Sequence, residues 1–210
     1  KVREIKPFLQ TKGPEPQDEY IAPQQAMLDL VKPVGCIMCG ACVSDCTVLE
    51  VDSNFIGPAA LAKASRFIDD PRDEMNSERF AQLNQYTGVW DCTRCMACVE
   101  VCPKGVAPMD RIMTIRDQII NAGIKNTNGA RHAEGFASIV KRYGTLDETQ
   151  LVIKTFGVLN PIVALKNIKA LFGLLPVAYR ALRKNKLPPV FHHKIAGVSY
   201  IKNIFKKLGA

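Results

Sequence analysis

All eight cysteines of this 210-residue chain lie in two short runs with the same spacing, C-x₂-C-x₂-C-x₃-C. Such spacing is typical of thiolates that ligate [4Fe–4S] clusters, and the proline after the last cysteine of the second run belongs to the same pattern. We therefore predict two [4Fe–4S] clusters. The predicted ligands are Cys36, Cys39, Cys42 and Cys46 in the first run and Cys92, Cys95, Cys98 and Cys102 in the second.

The geometry of each run predicts that the two runs share their clusters. Three cysteines at two-residue gaps can surround one corner of a cubane, whereas the fourth lies one helical turn further on and points away. The fourth cysteine of each run should then serve the other cluster. The predicted ligand sets are Cys36, Cys39, Cys42 and Cys102 for the first cluster, and Cys92, Cys95, Cys98 and Cys46 for the second.

Two other uses of the cysteines are less compatible with this spacing. Structural zinc also takes four thiolates, but its sites use paired C-x₂-C elements without a third cysteine at the same interval. A disulfide framework is the other use, but cysteines this close together in sequence are better suited to metal ligation than to cross-linking. The nearest basic residues either balance the negative charge of the clusters or simply lie in solvent: Lys32, Arg94 and Lys104.

Prolines and apolar spacing predict an all-α fold in three parts. Four prolines in residues 1–30 disfavour helix and predict an extended arm or linker. Residues 31–125 should form an α-helical two-cluster ferredoxin domain, with helices starting at Pro58 and Pro108 and a short helix near 77–83. Residues 126–210 should form a basic helical C-terminal extension, and no long alternating pattern predicts a sheet.

The C-terminal extension has an unusual charge distribution. Residues 151–210 hold 11 of the 28 Lys and Arg residues and none of the 20 Asp and Glu residues. Two segments, 161–172 and 201–208, place apolar side chains opposite lysines, which is typical of helices that lie on a membrane or dock on a partner. We predict a membrane-surface contact through residues 158–210. Docking on a partner alone, or packing on the chain's own cluster domain, are the alternatives.

Several function classes lack support in the sequence. The basic tail has no signature of a nucleic-acid-binding module, so no nucleic-acid partner is expected. No run of eighteen apolar residues predicts a membrane span. The three histidines His132, His192 and His193 form no catalytic motif, and no phosphate loop or serine elbow is present. The chain is therefore predicted to carry electrons rather than to transform a substrate.

Beyond the cysteines, the segment IGPAALAKASRFIDDPRDE and the segment DCTRCMACVEVCPKGVAP resemble the iron–sulfur subunit of succinate dehydrogenase and fumarate reductase, over roughly residues 3–120. The resemblance implies a non-catalytic electron-transfer subunit of an oxidoreductase complex, with a flavoprotein subunit as partner. It also implies a [2Fe–2S] domain in the same or another chain, linked through REIKPFLQ. The implied location is the membrane periphery, on the cytoplasmic face.

Two departures from the common form of that family point to one of its variants. Cys95 supplies a ligand that the common form lacks, which implies [4Fe–4S] rather than a three-iron cluster in the second site. Thr47, Val48-Leu49 and Thr93 replace the usual quinone-contacting residues. These features resemble the type whose partner is a cysteine-rich subunit related to heterodisulfide reductase rather than a membrane anchor. A two-cluster subunit of a heterodisulfide-reductase-type complex and a freestanding ferredoxin are the alternatives.

Overall fold

The computed structural model describes residues 1–186 and 194–208, and within these residues it is helical without a β-strand. The predicted all-α class is confirmed. The chain divides into two compact units, Lys1–Ile124 and Lys125–Ala210, which are described separately. His192 and His193 lie outside the described residues.

The first unit contains both cysteine runs and a series of mostly short helices. Two 3₁₀ turns, Val2–Ile5 and Val89–Asp91, accompany eight α-helices. The α-helices are α1 Gln24–Asp29, α2 Val31–Val34, α3 Ala41–Ser44, α4 Thr47–Val51, α5 Pro58–Ile68, α6 Asn76–Leu83, α7 Ala97–Glu100 and α8 Pro108–Asn121.

The core of this unit lies between α5 and α8, which pack against each other. Both helices begin with proline, whose fixed φ suits the first helical position and whose missing N–H is not needed there. Gly57 precedes α5 at φ 91°, a conformation that favours glycine, and a Cβ there would come within 3.2 Å of Leu49. On α8, Ile112, Ile115 and Ile119 are fully buried. The helix starts predicted at Pro58 and Pro108 are confirmed.

The N-terminal arm is tied to α6 by hydrogen bonds from Arg79, a buried arginine that is also paired with Asp73. Arg79 donates to both carboxylate oxygens of Asp73, at 3.0 and 2.7 Å, and their side chains are only 5% and 0% exposed. The same guanidinium donates to the carbonyls of Ile5, Lys6 and Phe8. Residues 5–8 are therefore fixed against the domain, although no regular element extends from residue 6 to residue 23.

The second unit consists of α9 Asn128–Tyr143, α10 Glu148–Phe156, α11 Pro161–Lys166, α12 Ile168–Arg183 and α13 Val198–Lys207. Helices α10 and α13 both pack on α9. Thr127 and Asp147 cap α9 and α10, since their side chains accept hydrogen bonds from backbone N–H groups of the first turn. No helix in the described residues is long and apolar enough to cross a membrane.

The prediction of a single amphipathic helix for residues 161–172 is wrong, because the helix is interrupted at Asn167. The Asn167 amide donates to the carbonyls of Phe156 and Val163, and such local side-chain bonds compete with helix continuation. A new helix, α12, starts at Ile168 and runs eleven residues past the expected end. Residues 168–172 therefore belong to α12, a 16-residue helix that has basic residues and no acidic residue.

Candidate iron–sulfur site

The structure gathers the eight cysteines around two cavities, four in each. The lining of the first cavity includes Cys36, Cys39, Cys42 and Cys102. The lining of the second cavity includes Cys46, Cys92, Cys95 and Cys98. Each cavity thus receives three cysteines from one run and the last cysteine of the other. None of the eight thiols forms a disulfide in the described residues.

The two cysteine loops share an unusual backbone conformation. Met38 and Gly40 in the first run have φ values of 58° and 83°, and Arg94 and Met96 at the equivalent positions of the second have 61° and 69°. Alternation of left-handed and right-handed residues turns successive N–H groups toward one side and forms concavities that bind anions, iron–sulfur clusters included. The repeated geometry suits two anionic clusters, and the thiol donor sets suit iron.

The two cavities are separated by the first turns of α5 and α8. Pro58 lines the second cavity and Ala59 the first, whereas Pro108 lines the first cavity and Met109 the second. Neighbouring residues of one backbone therefore face different cavities. This arrangement holds the two candidate cluster sites next to each other in the core.

Burial raises the pKa of the third thiol of each run. The pKa of Cys42 rises to about 11, through burial first and then the nearby thiols of Cys36, Cys102 and Cys39. Burial likewise raises the pKa of Cys98 to about 11, with Cys92 as its strongest thiol neighbour. Because metal ligation requires thiolates, loading these sites must release protons.

Hydrogen bonds reach two of the sulfurs from outside the ligand sets. The Val106 backbone N–H donates to Cys102 Sγ at 3.4 Å, and the Thr47 hydroxyl donates to Cys95 Sγ at 3.7 Å. The backbone N–H of Ala97 and then the Thr47 hydroxyl lower the pKa of Cys95. Thr47 and Cys95, two of the residues that depart from the common family pattern, are therefore in contact.

The basic residues nearest in sequence to the cysteines are all exposed: Lys32, Arg94 and Lys104. Of these, Lys104 lines the first cavity. The sequence analysis missed Arg116, which is buried on α8 and donates to backbone carbonyls at the start of the second run. Its signal in the sequence was an arginine one turn beyond Ile112, on an otherwise apolar stripe of the helix.

The remaining chemistry-bearing residues add no further site in the described part of the chain. His132 lies in the second unit, where its Nδ1 is 3.1 Å from the Thr155 hydroxyl. Across residues 1–186 and 194–208, no three His, Cys, Asp or Glu side chains converge on the position of a single metal ion.

The part of the chain that holds the cysteine runs is similar to known proteins. Residues 34–106 match the 4Fe-4S dicluster domain. The fumarate reductase iron-sulfur subunit of Escherichia coli O6:H1 is 50% identical over 74 residues, which are 35% of this chain and 30% of that protein. The 8-methylmenaquinol:fumarate reductase iron-sulfur subunit of Wolinella succinogenes is 30% identical over 201 residues, 93% of this chain and 60% of that protein.

A third relative is the succinate dehydrogenase iron-sulfur subunit of Paracoccus denitrificans, 33% identical over 121 residues, 56% of this chain and 46% of that protein. The chain is a homologue of the iron–sulfur subunits of fumarate reductase and succinate dehydrogenase. It spans between about a third and 60% of the length of these relatives. The Wolinella similarity also extends well beyond the predicted limit of residue 120, into the second unit.

Proposed function

We propose that the chain binds two [4Fe–4S] clusters, one in each cavity, and acts as the electron-transfer part of a succinate dehydrogenase or fumarate reductase complex. It relays electrons between a flavoprotein subunit and a quinone-side or thiol-side partner, either a cysteine-rich subunit or a membrane anchor. A [2Fe–2S] domain, in the same or another chain, supplies a further step. The observation that carries the proposal is the gathering of four thiols at each of two adjacent cavities.

Bound clusters would supply one-electron chemistry, and the residues of this chain hold and insulate them. Cys36, Cys39, Cys42 and Cys102 would hold the first cluster, and Cys92, Cys95, Cys98 and Cys46 the second. Apolar side chains such as Val106 and Ile112 line the cavities and limit access of water. The backbone N–H groups of Val106 and Ala97 donate to cysteine sulfurs, which favours the thiolate form and tunes the reduction potential.

Succinate should reduce the clusters of the native complex, because electrons released at the flavoprotein would pass through this chain. The complex would be isolated anaerobically through a tag on this chain, and its clusters followed by electron paramagnetic resonance before and after adding succinate. Dithionite provides the control for full reduction. The assignment would be contradicted if dithionite reduced the clusters but succinate did not reduce them and fumarate did not reoxidise them. Reduction by thiols instead would favour a heterodisulfide-reductase-type complex.

We further propose that residues 158–210 hold the complex at the periphery of an anionic membrane, on its cytoplasmic face, chiefly through α12. Helix α13 already uses part of its apolar face, since Ile201 and Phe205 are half-buried and Lys141 lies 5.7 Å from the Phe205 ring centroid. By contrast, α12 has no buried residue in the structure. Its apolar side chains Phe172, Leu175 and Leu182 are exposed, and its polar side carries basic residues. Acid-free, basic amphipathic helices are attracted to anionic lipid.

Vesicle co-sedimentation of the complex can measure how much each side of α12 contributes to membrane binding. Leu175→Glu places a negative charge on the apolar side and should reduce binding to anionic vesicles several-fold. Val177→Glu makes a matching change about 200° away around the helix and should have a much smaller effect. Binding should also weaken between 0.1 and 1 M salt, as the screening length falls from about 10 to about 3 Å. Equal binding by wild type and both variants would contradict the membrane contact.

A further inference from the structure

Arg116 is an arginine in the core of the first unit, one helical turn beyond a residue that lines the second cavity. Arg116 is only 6% exposed, and Ile112, four positions earlier on α8, lines the second cavity. Residues four apart share a face of a helix. The guanidinium is therefore held close to the second candidate cluster site.

Every hydrogen bond of this guanidinium goes to the backbone that leads into the second cysteine run. Its Nε and Nη2 donate to the Val89 carbonyl at 3.0 and 2.8 Å, and Nη2 also donates to the carbonyls of Trp90 at 3.0 Å and Cys92 at 2.7 Å. The Trp90 ring lies 5.3 Å from its Cζ. Arg116 thus fixes the segment 89–92, including the backbone of the proposed ligand Cys92.

The positive charge of Arg116 has no direct counter-ion. No carboxylate in the described residues lies within ion-pair distance of it. A guanidinium stays charged at neutral pH even when it is buried. A buried cation without a paired anion is costly. Asp91 and Asp117 attract the guanidinium from beyond ion-pair distance, and the negative charge of a cluster ligated by Cys92 would add to that attraction.

We propose that Arg116 is a positioning residue for the second cluster, which orients the Cys92 loop and supplies a buried positive charge that favours the reduced cluster. The inference rests on the proposed ligation. Reduction adds one negative charge, so a nearby cation stabilises the reduced state more than the oxidised state and raises the reduction potential. For unit charges about 10 Å apart at an effective dielectric constant of about 20, Coulomb's law gives an effect of about tenfold on the equilibrium constant.

The test is a redox titration of cluster-loaded wild type and two variants, with both midpoint potentials measured. Arg116→Gln should lower the equilibrium constant for reduction of the second cluster about tenfold. This change corresponds to a fall of about 59 mV in its midpoint potential for one electron. The first cluster in the same molecule is the internal control. Arg116→Lys keeps the charge and should preserve most of the potential. Arg3→Gln removes an exposed charge and should change neither potential, because solvent screens it.

A second measurement covers the case in which Arg116→Gln fails to load its second cluster. Lysine cannot reproduce the bonds to all three carbonyls, so Arg116→Lys should lose its second cluster to an iron chelator faster than wild type does, while the first cluster is lost at the wild-type rate. Unchanged potentials in Arg116→Gln would overturn the inference. So would a chelator-loss rate in Arg116→Lys equal to that of wild type. Wild-type protein that does not load two clusters would refute the proposed function instead.

Discussion

Replacing Cys102 by alanine should damage the cluster bound by Cys36, Cys39 and Cys42, and leave the cluster bound by its own sequence neighbours intact. The physical reason is that Cys102 lines the first cavity, whereas Cys92, Cys95 and Cys98 line the second. One lost thiolate removes a quarter of the protein ligands of a cubane, so the first cluster should be lost or converted to a three-iron form. Mössbauer spectra of anaerobically loaded protein would measure both clusters.

Double variants give the sharpest version of this experiment. Cys39→Ala with Cys102→Ala removes two ligands from the first cluster only, so one intact [4Fe–4S] cluster should remain. Cys95→Ala with Cys102→Ala removes one ligand from each cluster, so no intact cluster should remain. The opposite pattern would show that each run ligates its own cluster.

Replacing Arg79 by methionine should produce the largest loss of stability in the first unit outside the cysteines. The change leaves the buried Asp73 carboxylate without its ion partner and removes the donors to Ile5, Lys6 and Phe8. Breaking a buried ion pair in this way typically costs about 3–5 kcal/mol. For a domain of this size the melting temperature should fall by roughly 10 °C. The released arm should also be cut faster by protease in residues 6–23.

Arg66→Met is the matched control for that variant. Arg66 also lies over the Phe67 ring, at 4.5 Å compared with 5.1 Å for Arg79. It forms no ion pair in the described part of the chain, so its loss should lower the melting temperature by only a few degrees. Equal effects of the two changes would show that the ion pair and the arm contacts of Arg79 do not contribute to stability as proposed.

The sequence predicted the features that depend on local spacing. The helix starts at Pro58 and Pro108 follow from the conformational restriction of proline, and the cysteine spacing predicted the two groups of four that the structure places around separate cavities. That the groups ligate clusters stays a prediction. The helix starts are set by residues within a few positions of one another, and the grouping of the cysteines followed from one local spacing that occurs in both runs.

Features that depend on distant contacts could not be predicted in the same way. The partners of Arg79 include backbone carbonyls more than seventy residues earlier. Every residue has a backbone carbonyl, so the sequence does not mark which of them accepts the hydrogen bond. Arg116 reaches carbonyls 24 to 27 positions away for the same reason. The helix ends near Asn167, whose side chain reaches the Phe156 carbonyl eleven positions earlier, and the local sequence pattern does not indicate that contact. Burial of α13 against α9 likewise required the tertiary structure.

Iron and acid-labile sulfide analysis of anaerobically prepared protein, with Mössbauer spectra on the same sample, measures whether the chain holds two four-iron clusters. We predict about eight iron and eight sulfide per chain, all in [4Fe–4S] clusters. Stoichiometric zinc in place of iron would contradict this prediction, as would a three-iron signal present before any exposure to oxidant.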